Sequence, residues 1–194
     1  DPQQLKRFYR EAQTAAQLSH PNITSIYEIS IQDGKHFIAM EYIDGVSLDD
    51  IEIPTDTANI RKIAFWIRDV SRAVDLAHKK GVIHRDIKPA NIMLDKKEKP
   101  FVTDFGLARQ IDADIKITKT GLVVGTPAFM SPEQAQNGGS DLDGSTDIWS
   151  IGATLYDLLT GRPPFNGSGA METLSMVVHA ETEPPSKFNP SIPK

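Results

Sequence analysis

The sequence contains no cysteine. A disulfide framework and a thiolate zinc site are therefore both excluded, and a reducing compartment is the expected environment. The chain also lacks any run of about 18 apolar residues, the length that a membrane-spanning helix needs. We therefore expect a cytoplasmic location for these residues, with no membrane segment among them and any membrane anchor lying elsewhere in the full-length protein.

Positive charge is the scarcer sign, because 21 Lys and Arg residues stand against 26 Asp and Glu residues, for a net charge of −5. This balance argues against a nucleic-acid partner, because binding to phosphates requires a basic face. Hydrophobic residues make up 39% of the 194 residues. That content is sufficient for the core of one compact domain.

One stretch, residues 82–106, is rich in polar residues that carry chemistry. It contains two short apolar runs, 92–94 and 100–103, which are separated by the polar segment 95–99. Two strands joined by a turn at this segment would form a hairpin. The polar residues before the first strand and after the second would then meet at one end of that hairpin.

Four polar side chains would lie at that end: Asp86, Lys88, Asn91 and Asp104. Asn91 and Asp104 supply oxygen ligands of the kind that Mg²⁺ takes, with waters and phosphates completing its shell. Asp86 is a carboxylate that can accept a hydroxyl proton, and Lys88 offers a positive charge to a migrating phosphoryl group. The set suits phosphoryl transfer from a magnesium nucleotide, in which positioning and charge neutralisation carry most of the catalysis.

The sequence contains a series of motifs in a fixed order. H-R-D-I-K-P-A-N begins at His84, D-F-G at Asp104, G-T-P-A-F-M-S-P-E at Gly125 and D-I-W-S-I-G at Asp147. In this order and at these intervals the motifs resemble the eukaryotic-type protein kinase family. The segments M-E-Y-I-D-G-V-S-L and H-R-D-I-K-P-A-N-I-M-L look most like the bacterial eukaryotic-like Ser/Thr protein kinases.

The resemblance implies an α+β, two-lobed protein-kinase-like fold that is truncated at both ends. Residues 1–43 would form a partial small lobe with one helix, two strands and the hinge. Residues 44–194 would form the mainly α-helical large lobe, with the catalytic loop, the activation segment and the substrate-docking helices but without the last helices. Periodicity and turn residues predict helices at about 2–18, 47–51, 56–80, 147–160 and 170–179, and strands at 23–31 and 36–42.

The resemblance also implies a role for each polar residue of the hairpin end. Asp86 would be the catalytic base that orients the substrate hydroxyl, and Lys88 would contact the transferred phosphate. Asn91 and Asp104 would hold Mg²⁺. Lysine at position 88 with Pro89 next to it is typical of the Ser/Thr-specific branch. The implied reaction transfers the γ-phosphoryl group of ATP to Ser or Thr hydroxyls of proteins.

On the nucleotide side, the resemblance implies that Glu11 pairs with a strand lysine that holds the phosphates. Met40 would guard the adenine pocket, and backbone groups of Glu41 and Ile43 would bond the adenine edge. The strand lysine and the Gly-rich loop of the family do not occur in this sequence. We therefore expect the 194-residue chain by itself to be a poor catalyst.

A regulatory segment is expected between residues 107 and 125. Arg85, beside the catalytic base, favours an anion, and a phosphate on this segment would supply one through charge-assisted hydrogen bonds. Thr118 and Thr120 are the candidate acceptors of that phosphate. A dimer of two kinase chains would allow such autophosphorylation.

Thr126 lies in the part that resembles the substrate-docking segment, where it would hydrogen-bond Asp86 and Lys88. Glu133 closes this segment and would pair with an arginine further along. Asp147 begins a helix apolar enough to be buried. By resemblance it would accept hydrogen bonds from the backbone of the catalytic loop, because an unbonded buried carboxylate is costly.

Two other functions remain open on the sequence. A pseudokinase that binds partners is favoured by the missing lysine and Gly-rich loop, and is opposed by the presence of Asp86, Asn91 and Asp104. A small-molecule phosphotransferase of related fold is disfavoured by the long segment that ends at Glu133. A small metabolite needs no platform for docking a peptide.

Overall fold

The computed structural model describes residues 12–33, 35–53, 56–105, 127–137 and 142–193. Residues 12–16 are helical, two small sheets follow, and the remainder is mainly helical, which confirms the predicted α+β class. The elements are strands β1 (Ile26–Gln32), β2 (Lys35–Met40), β3 (Gly45–Ser47), β4 (Ile92–Asp95) and β5 (Pro100–Val102), and helices α1 (Thr57–Lys79), α2 (Pro132–Asn137), α3 (Ser145–Thr160) and α4 (Ala170–His179).

The first sheet is the antiparallel pair β1–β2, with Ile29 opposite Ile38. Asp33 adopts a positive φ of 51° in the connecting turn, a conformation that Asp tolerates better than most residues. One face of the pair packs on Ala12, which is fully buried. Both predicted strands are confirmed, although β1 begins three residues later than the predicted position 23.

The later start of β1 has a physical cause, since residues 22–24 bond to β5 instead. The Val102 N–H donates to the Asn22 carbonyl at 2.8 Å, and the Thr24 N–H donates to the Val102 carbonyl at 3.0 Å. The buried Asn22 side chain also donates from Nδ2 to the Pro100 carbonyl at 2.7 Å. These bonds fix the segment that precedes β1 to the hairpin that carries the polar cluster.

The second sheet has the order β3–β4–β5 with antiparallel neighbours. Its β4–β5 hairpin was predicted and is confirmed, with a turn closed by hydrogen bonds from the Lys97 and Lys99 N–H groups to the Asp95 carboxylate. Strand β3 was not predicted, because three residues are too few to show an alternating pattern. The sheet is therefore one strand wider than the expected hairpin.

Helix α1 packs against this sheet. Asp56 caps its start by accepting a hydrogen bond from the Asn59 N–H at 2.8 Å, and Gly81 with a φ of 75° follows its end. Its apolar side chains recur at helical spacing on one face, and that face is buried in one cluster with β4, β5 and α3 and contacts β5 and α3. The core contains Ile63, Trp66, Ile67, Val70, Ala73, Val74, Ala77, Ile87, Ile92, Val102, Phe105 and Leu158.

Helix α3 packs against α1 and begins at Ser145, two residues before the predicted start. Its end at Thr160, followed by Gly161 with a φ of 73°, agrees with the prediction. The expectation that the whole helix is buried was wrong on one face, because Ile148 is 66% exposed. The buried face instead carries several small and polar residues, so the apolar composition of the helix does not reveal which face is buried. The small and polar residues on the buried face are Thr146, Asp147, Ser150, Ala153 and Thr154.

Helix α4 occupies its predicted range, and a short 3-10 turn at Pro185–Lys187 follows it. Asn189, almost fully buried, donates from Nδ2 to the Leu159 carbonyl at 2.8 Å and so ties the last described segment to α3. In the described ranges, no helix has the length and apolar character needed to cross a membrane.

Candidate active site

The loop between α1 and β4 brings three of the predicted site residues together. Lys88 Nζ lies 2.9 Å from Asp86 Oδ2. Asn91 Nδ2 donates to the Asp86 backbone carbonyl at 2.7 Å and to Asp86 Oδ2 at 3.0 Å. The Oδ2 atom of Asp86 therefore accepts from both a cation and an amide, while the side chain keeps access to solvent.

The hairpin places Asp104 at the same end of the sheet. Ile92 pairs with Val102, and the Thr103 N–H donates to the Asn91 carbonyl at 3.0 Å. Asp104 follows directly, is exposed, and has a φ of 57°. Positive φ in a residue other than glycine is uncommon and is concentrated at functional sites. The backbone therefore places the four polar residues at one end of the hairpin, as the sequence predicted.

The donor set at this end fits a magnesium ion. Asp86 engages the amide nitrogen of Asn91, so the group that remains for a ligand is the amide oxygen. Asp104 adds an exposed carboxylate. These are hard oxygen donors, which Mg²⁺ prefers in sites that it shares with substrate phosphates and waters.

His84 is fully buried, and each of its ring nitrogens bonds to another group of the protein. Its Nδ1 accepts the Asp86 N–H at 3.2 Å, so the proton of the neutral ring lies on Nε2, which donates to the Thr103 carbonyl at 2.8 Å. The ring contacts Phe105 with 4.7 Å between centroids and a tilt of 52°. The two ring nitrogens thus connect the loop that carries Asp86 to the segment that carries Asp104.

Asp147 holds the backbone at the start of the loop, at His84 and Arg85. It is fully buried, and it accepts the His84 N–H at 2.8 Å and the Arg85 N–H at 2.7 Å. His78 Nε2 lies 2.7 Å from Asp147 Oδ2. These partners offset the cost of burying a carboxylate and confirm the predicted structural role.

A second buried set of bonds was not anticipated from the sequence. Gln134, 1% exposed, donates from Nε2 to the Arg85 carbonyl at 2.8 Å and accepts the Ser131 N–H at 3.0 Å. The Ser131 and Thr146 hydroxyl oxygens are 2.6 Å apart, and Thr146 also donates to Glu133 Oε1 at 3.0 Å. No motif spacing marks Gln134, so only the structure identifies it.

The predicted hinge residues lie between β2 and β3. The Glu41 N–H donates to the Ser25 carbonyl at 2.8 Å, and Glu41 Oε2 accepts the Ser25 hydroxyl at 3.1 Å. Ile43 is buried, and Met40 is partly buried at the end of β2. Pairing with Ser25 therefore fixes the backbone at the start of this connection.

Four predicted site residues lie outside the described residues, namely Glu11, Thr118, Thr120 and Thr126. Their roles stay predictions. Arg85 is described and is partly buried, next to Asp86 in the chain. Its backbone has a φ of 68° and is bonded on both sides.

The polar cluster is the one that the sequence predicted, and comparison with known proteins gives the family. The protein kinase domain family matches residues 1–193, so the chain belongs to that family. Protein kinases as a family use ATP and Mg²⁺.

The chain is similar to several bacterial serine/threonine-protein kinases. It is 40% identical over 192 residues to PknB of Mycolicibacterium smegmatis, covering 96% of this chain and 30% of that protein. It is 37% identical over 194 residues to PrkC of Bacillus subtilis, covering 100% of this chain and 30% of that protein. The chain thus spans less than a third of the length of these relatives.

A solved structure supports the fold. The crystal structure of the Mycobacterium tuberculosis PknI kinase domain superposes with a TM-score of 0.71 at 27% identity, covering 98% of this chain and 66% of that one. The resemblance inferred from the motifs is confirmed, and so is the protein-kinase-like fold class.

Proposed function

We propose that the protein containing this chain is a Ser/Thr protein kinase that transfers the γ-phosphoryl group of ATP to protein Ser and Thr hydroxyls. The observation that carries the proposal is the bonding of Asp86, with Lys88 at 2.9 Å and the Asn91 amide at 3.0 Å. Membership of the family and similarity to named Ser/Thr kinases support it.

In this reaction Asp86 orients the substrate hydroxyl and accepts its proton as the hydroxyl oxygen bonds to the γ-phosphorus. The bond between that phosphorus and the oxygen bridging the β and γ groups breaks, and ADP leaves with the electron pair. Lys88 offsets negative charge that spreads over the migrating group. Asn91 holds the carboxylate in place through Nδ2.

Asn91 and Asp104 would hold Mg²⁺, whose chemistry when bound is to neutralise charge on the phosphates. Because the Asn91 amide bonds Asp86 and the Asn91 carbonyl accepts the Thr103 N–H, one residue links the base to the segment that carries Asp104. A change at Asn91 should therefore disturb both the base and the metal ligand set.

The nucleotide would lie between a small lobe at residues 1–43 and a large lobe at 44–194. Met40 would border the adenine pocket, and backbone groups of Glu41 and Ile43 would bond the adenine edge. The pairing of Glu41 with Ser25, at 2.8 Å between backbone atoms, supports a fixed backbone there. Glu11 would pair with a lysine that holds the phosphates.

Control would act through the segment between the two halves of the site. Phosphate on Thr118 or Thr120, added within a kinase dimer, would pair with Arg85. Thr126 would hold the base and its lysine in register with a docked substrate, and Glu133 would anchor the end of the segment. A cytoplasmic location of this part suits the use of ATP.

The test is the Asp86→Asn change in the natural full-length protein, with phosphate transfer to a Ser/Thr protein substrate as the readout. We expect kcat to fall by about 10² to 10⁴-fold, the usual contribution of a general base, with KM for ATP nearly unchanged. Asp75→Asn is the control, because Asp75 is exposed on α1 and pairs with Lys79. Equal turnover in the Asp86→Asn and natural proteins would contradict the mechanism. Binding of ATP without turnover in the natural protein would favour a pseudokinase.

A further inference from the structure

Gln134 stands outside the motif residues, yet it contacts the catalytic loop directly. We propose that Gln134 is a positioning residue that fixes the peptide bond between Arg85 and Asp86, and with it the catalytic carboxylate. The proposal deepens the kinase function and rests on it. It gives the first turn of α2 a role in setting the rate.

The peptide bond between Arg85 and Asp86 is bonded at both of its polar atoms. Its oxygen, the Arg85 carbonyl, accepts from Gln134 Nε2 at 2.8 Å. Its N–H, on Asp86, donates to His84 Nδ1 at 3.2 Å. Rotation of this peptide plane would swing the Asp86 side chain, so the two bonds together fix where the carboxylate lies.

The backbone at this position needs such support. Arg85 has a φ of 68°, a conformation that an arginine seldom adopts and that persists only where surrounding groups hold it. Asp147 Oδ1 accepts the Arg85 N–H at 2.7 Å, so both backbone polar groups of Arg85 are bonded. Without the amide of Gln134, the carbonyl side of Arg85 would lose its bond while the N–H side kept its own.

Gln134 is itself held in one orientation. Its side chain is 1% exposed, and its Oε1 accepts the Ser131 N–H at 3.0 Å. Because an N–H must meet the amide oxygen and a carbonyl must meet the amide nitrogen, the two contacts agree on one assignment of the amide. Ser131 is in turn bonded to Thr146, which neighbours Asp147 on α3. The amide therefore joins the loop to the same helix end that holds it through Asp147.

A positioning role predicts a loss of rate without a loss of nucleotide affinity. We expect Gln134→Ala in the natural full-length protein to lower kcat by about 10- to 100-fold, since a misplacement of about 1 Å costs up to 10²-fold. KM for ATP should stay within about 2-fold, because Gln134 bonds the loop of the base and not the predicted nucleotide contacts.

The Gln134→Glu variant separates positioning from packing, because it keeps the shape of the side chain. Its protonated carboxyl can donate to the Arg85 carbonyl as the amide does, whereas its ionised form cannot and repels that oxygen. The activity of Gln134→Glu relative to the natural protein should therefore fall as the pH rises. Gln134→Ala should show a constant ratio over the same range.

Asn189 provides a matched control. It is another buried amide, 2% exposed, which donates to the Leu159 carbonyl at 2.8 Å and accepts the Ser191 N–H at 3.1 Å, far along the chain from the catalytic loop. Asn189→Ala and Asn189→Asp should reduce stability without a change in kcat for the folded protein. A parallel loss of kcat in the Asn189 variants would show that both sites act through folding alone and would overturn the proposal.

Hydrogen exchange of residues 84–86 tests the same idea without activity. Exchange should become faster in Gln134→Ala and stay unchanged in Asn189→Ala. If the natural protein shows no phosphate transfer, the kinase function fails and the exchange result still decides the positioning role. Natural kcat in folded Gln134→Ala, a flat pH ratio for Gln134→Glu, or unchanged exchange at 84–86 would each overturn the proposal.

Discussion

The loop at residues 84–91, together with the residues that bond to it, differs from the β1–β2 sheet in which side chains it buries. The loop region buries polar groups, with His84 and Asp147 fully buried and Gln134 at 1% exposure. The sheet exposes large apolar groups, with Tyr27 at 70% and Ile31 at 52% exposure. One region is therefore held by specific buried hydrogen bonds, and the other mainly by the ladder between its two strands.

This difference shows that the backbone conformation of the loop depends on more individual contacts than that of the sheet. A backbone conformation such as the φ of 68° at Arg85 is unfavourable alone and needs bonds from several segments. The ladder of β1 and β2 needs only a turn and alternating contacts, with a small cluster around Ala12 beneath it. We therefore expect changes in the loop region to have large and local chemical consequences, and changes on the outer face of the sheet to have small ones.

The largest effect should come from Asp147→Ala. This change leaves the N–H groups of His84 and Arg85 without their acceptor in the interior, and it removes the partner of His78. We expect the free energy of unfolding to fall by about 3–5 kcal/mol, the usual cost of breaking a buried charged network. Urea unfolding of the natural full-length protein and the variant measures it.

The control for Asp147 is Asp75→Ala, which removes an exposed carboxylate from the pair with Lys79. Exposed pairs contribute about 0–1 kcal/mol, so this variant should remain close to the natural protein. Equal losses at the two aspartates would mean that the network beneath the loop contributes no more than a surface pair.

Two isoleucines compare the packing of the two regions with the same side chain. Ile63 on α1 is 2% exposed in the main core, whereas Ile31 on β1 is 52% exposed. Ile63→Ala should cost about 2–5 kcal/mol through lost burial and a cavity, while Ile31→Ala should cost below about 0.5 kcal/mol. A cost at Ile31 similar to that at Ile63 would show that the outer face of β1 is covered in the natural protein.

Two glycines compare a crowded position in strand β3 with an open position on helix α3. An added Cβ at Gly45 would lie 1.8 Å from the Leu94 carbonyl oxygen, so β3 would have to move away from β4. We expect Gly45→Ala to cost about 2–3 kcal/mol, in the range of overpacked sites. At Gly152 on α3 an added Cβ meets nothing within 4 Å apart from the neighbouring backbone of its own helix, so Gly152→Ala should stabilise by about 0.5–1 kcal/mol. Thermal unfolding of both variants measures the two effects. Equal stability of the Gly45→Ala and natural proteins would show that the close approach of β3 to β4 does not limit the residue at position 45.

Much of this arrangement was predictable from the sequence. The apolar runs 92–94 and 100–103 with a polar turn between them predicted the β4–β5 hairpin, which is confirmed. The predicted helix 56–80 agrees with α1, Thr57–Lys79, to within one residue at each end. The four site residues came from their motifs, and the hairpin explains why residues distant in sequence meet at one end.

The parts that could not be predicted depend on long-range contacts. Strand β3 exists because Val46 pairs with Leu94, and no periodicity within three residues reveals it. Gln134 acts on a carbonyl 49 residues earlier in the chain. Ile148 is exposed although its helix is apolar, because the buried face of α3 combines polar residues such as Asp147 with apolar ones such as Leu158. Patterns along a chain report its local preferences and do not report which distant backbone group a side chain will meet.

A smaller effect than that at Asp147 is expected at Asp157, which lies on the same helix but has no hydrogen-bond partner for its carboxylate within the described residues. Burial, reinforced by the nearby Asp49 carboxylate, raises the pKa of Asp157 from 3.8 to about 6. The folded protein therefore binds this proton more tightly than the unfolded chain does. The resulting contribution to stability is complete below pH 3.8 and is lost as the pH rises towards 6.

We expect Asp157→Asn to remove this loss and to stabilise the natural full-length protein at pH 7.5, relative to pH 4.5, by about 1–2 kcal/mol after allowance for solvent screening. Asp49→Asn should give a smaller gain with the same sign, because burial is the main cause of the raised pKa. Urea unfolding at several pH values measures both differences. The stability difference between Asp157→Asn and the natural protein should therefore change with pH. A difference that stays constant would show that the Asp157 carboxylate has a hydrogen-bond partner in solution, as the Asp147 carboxylate does in the structure.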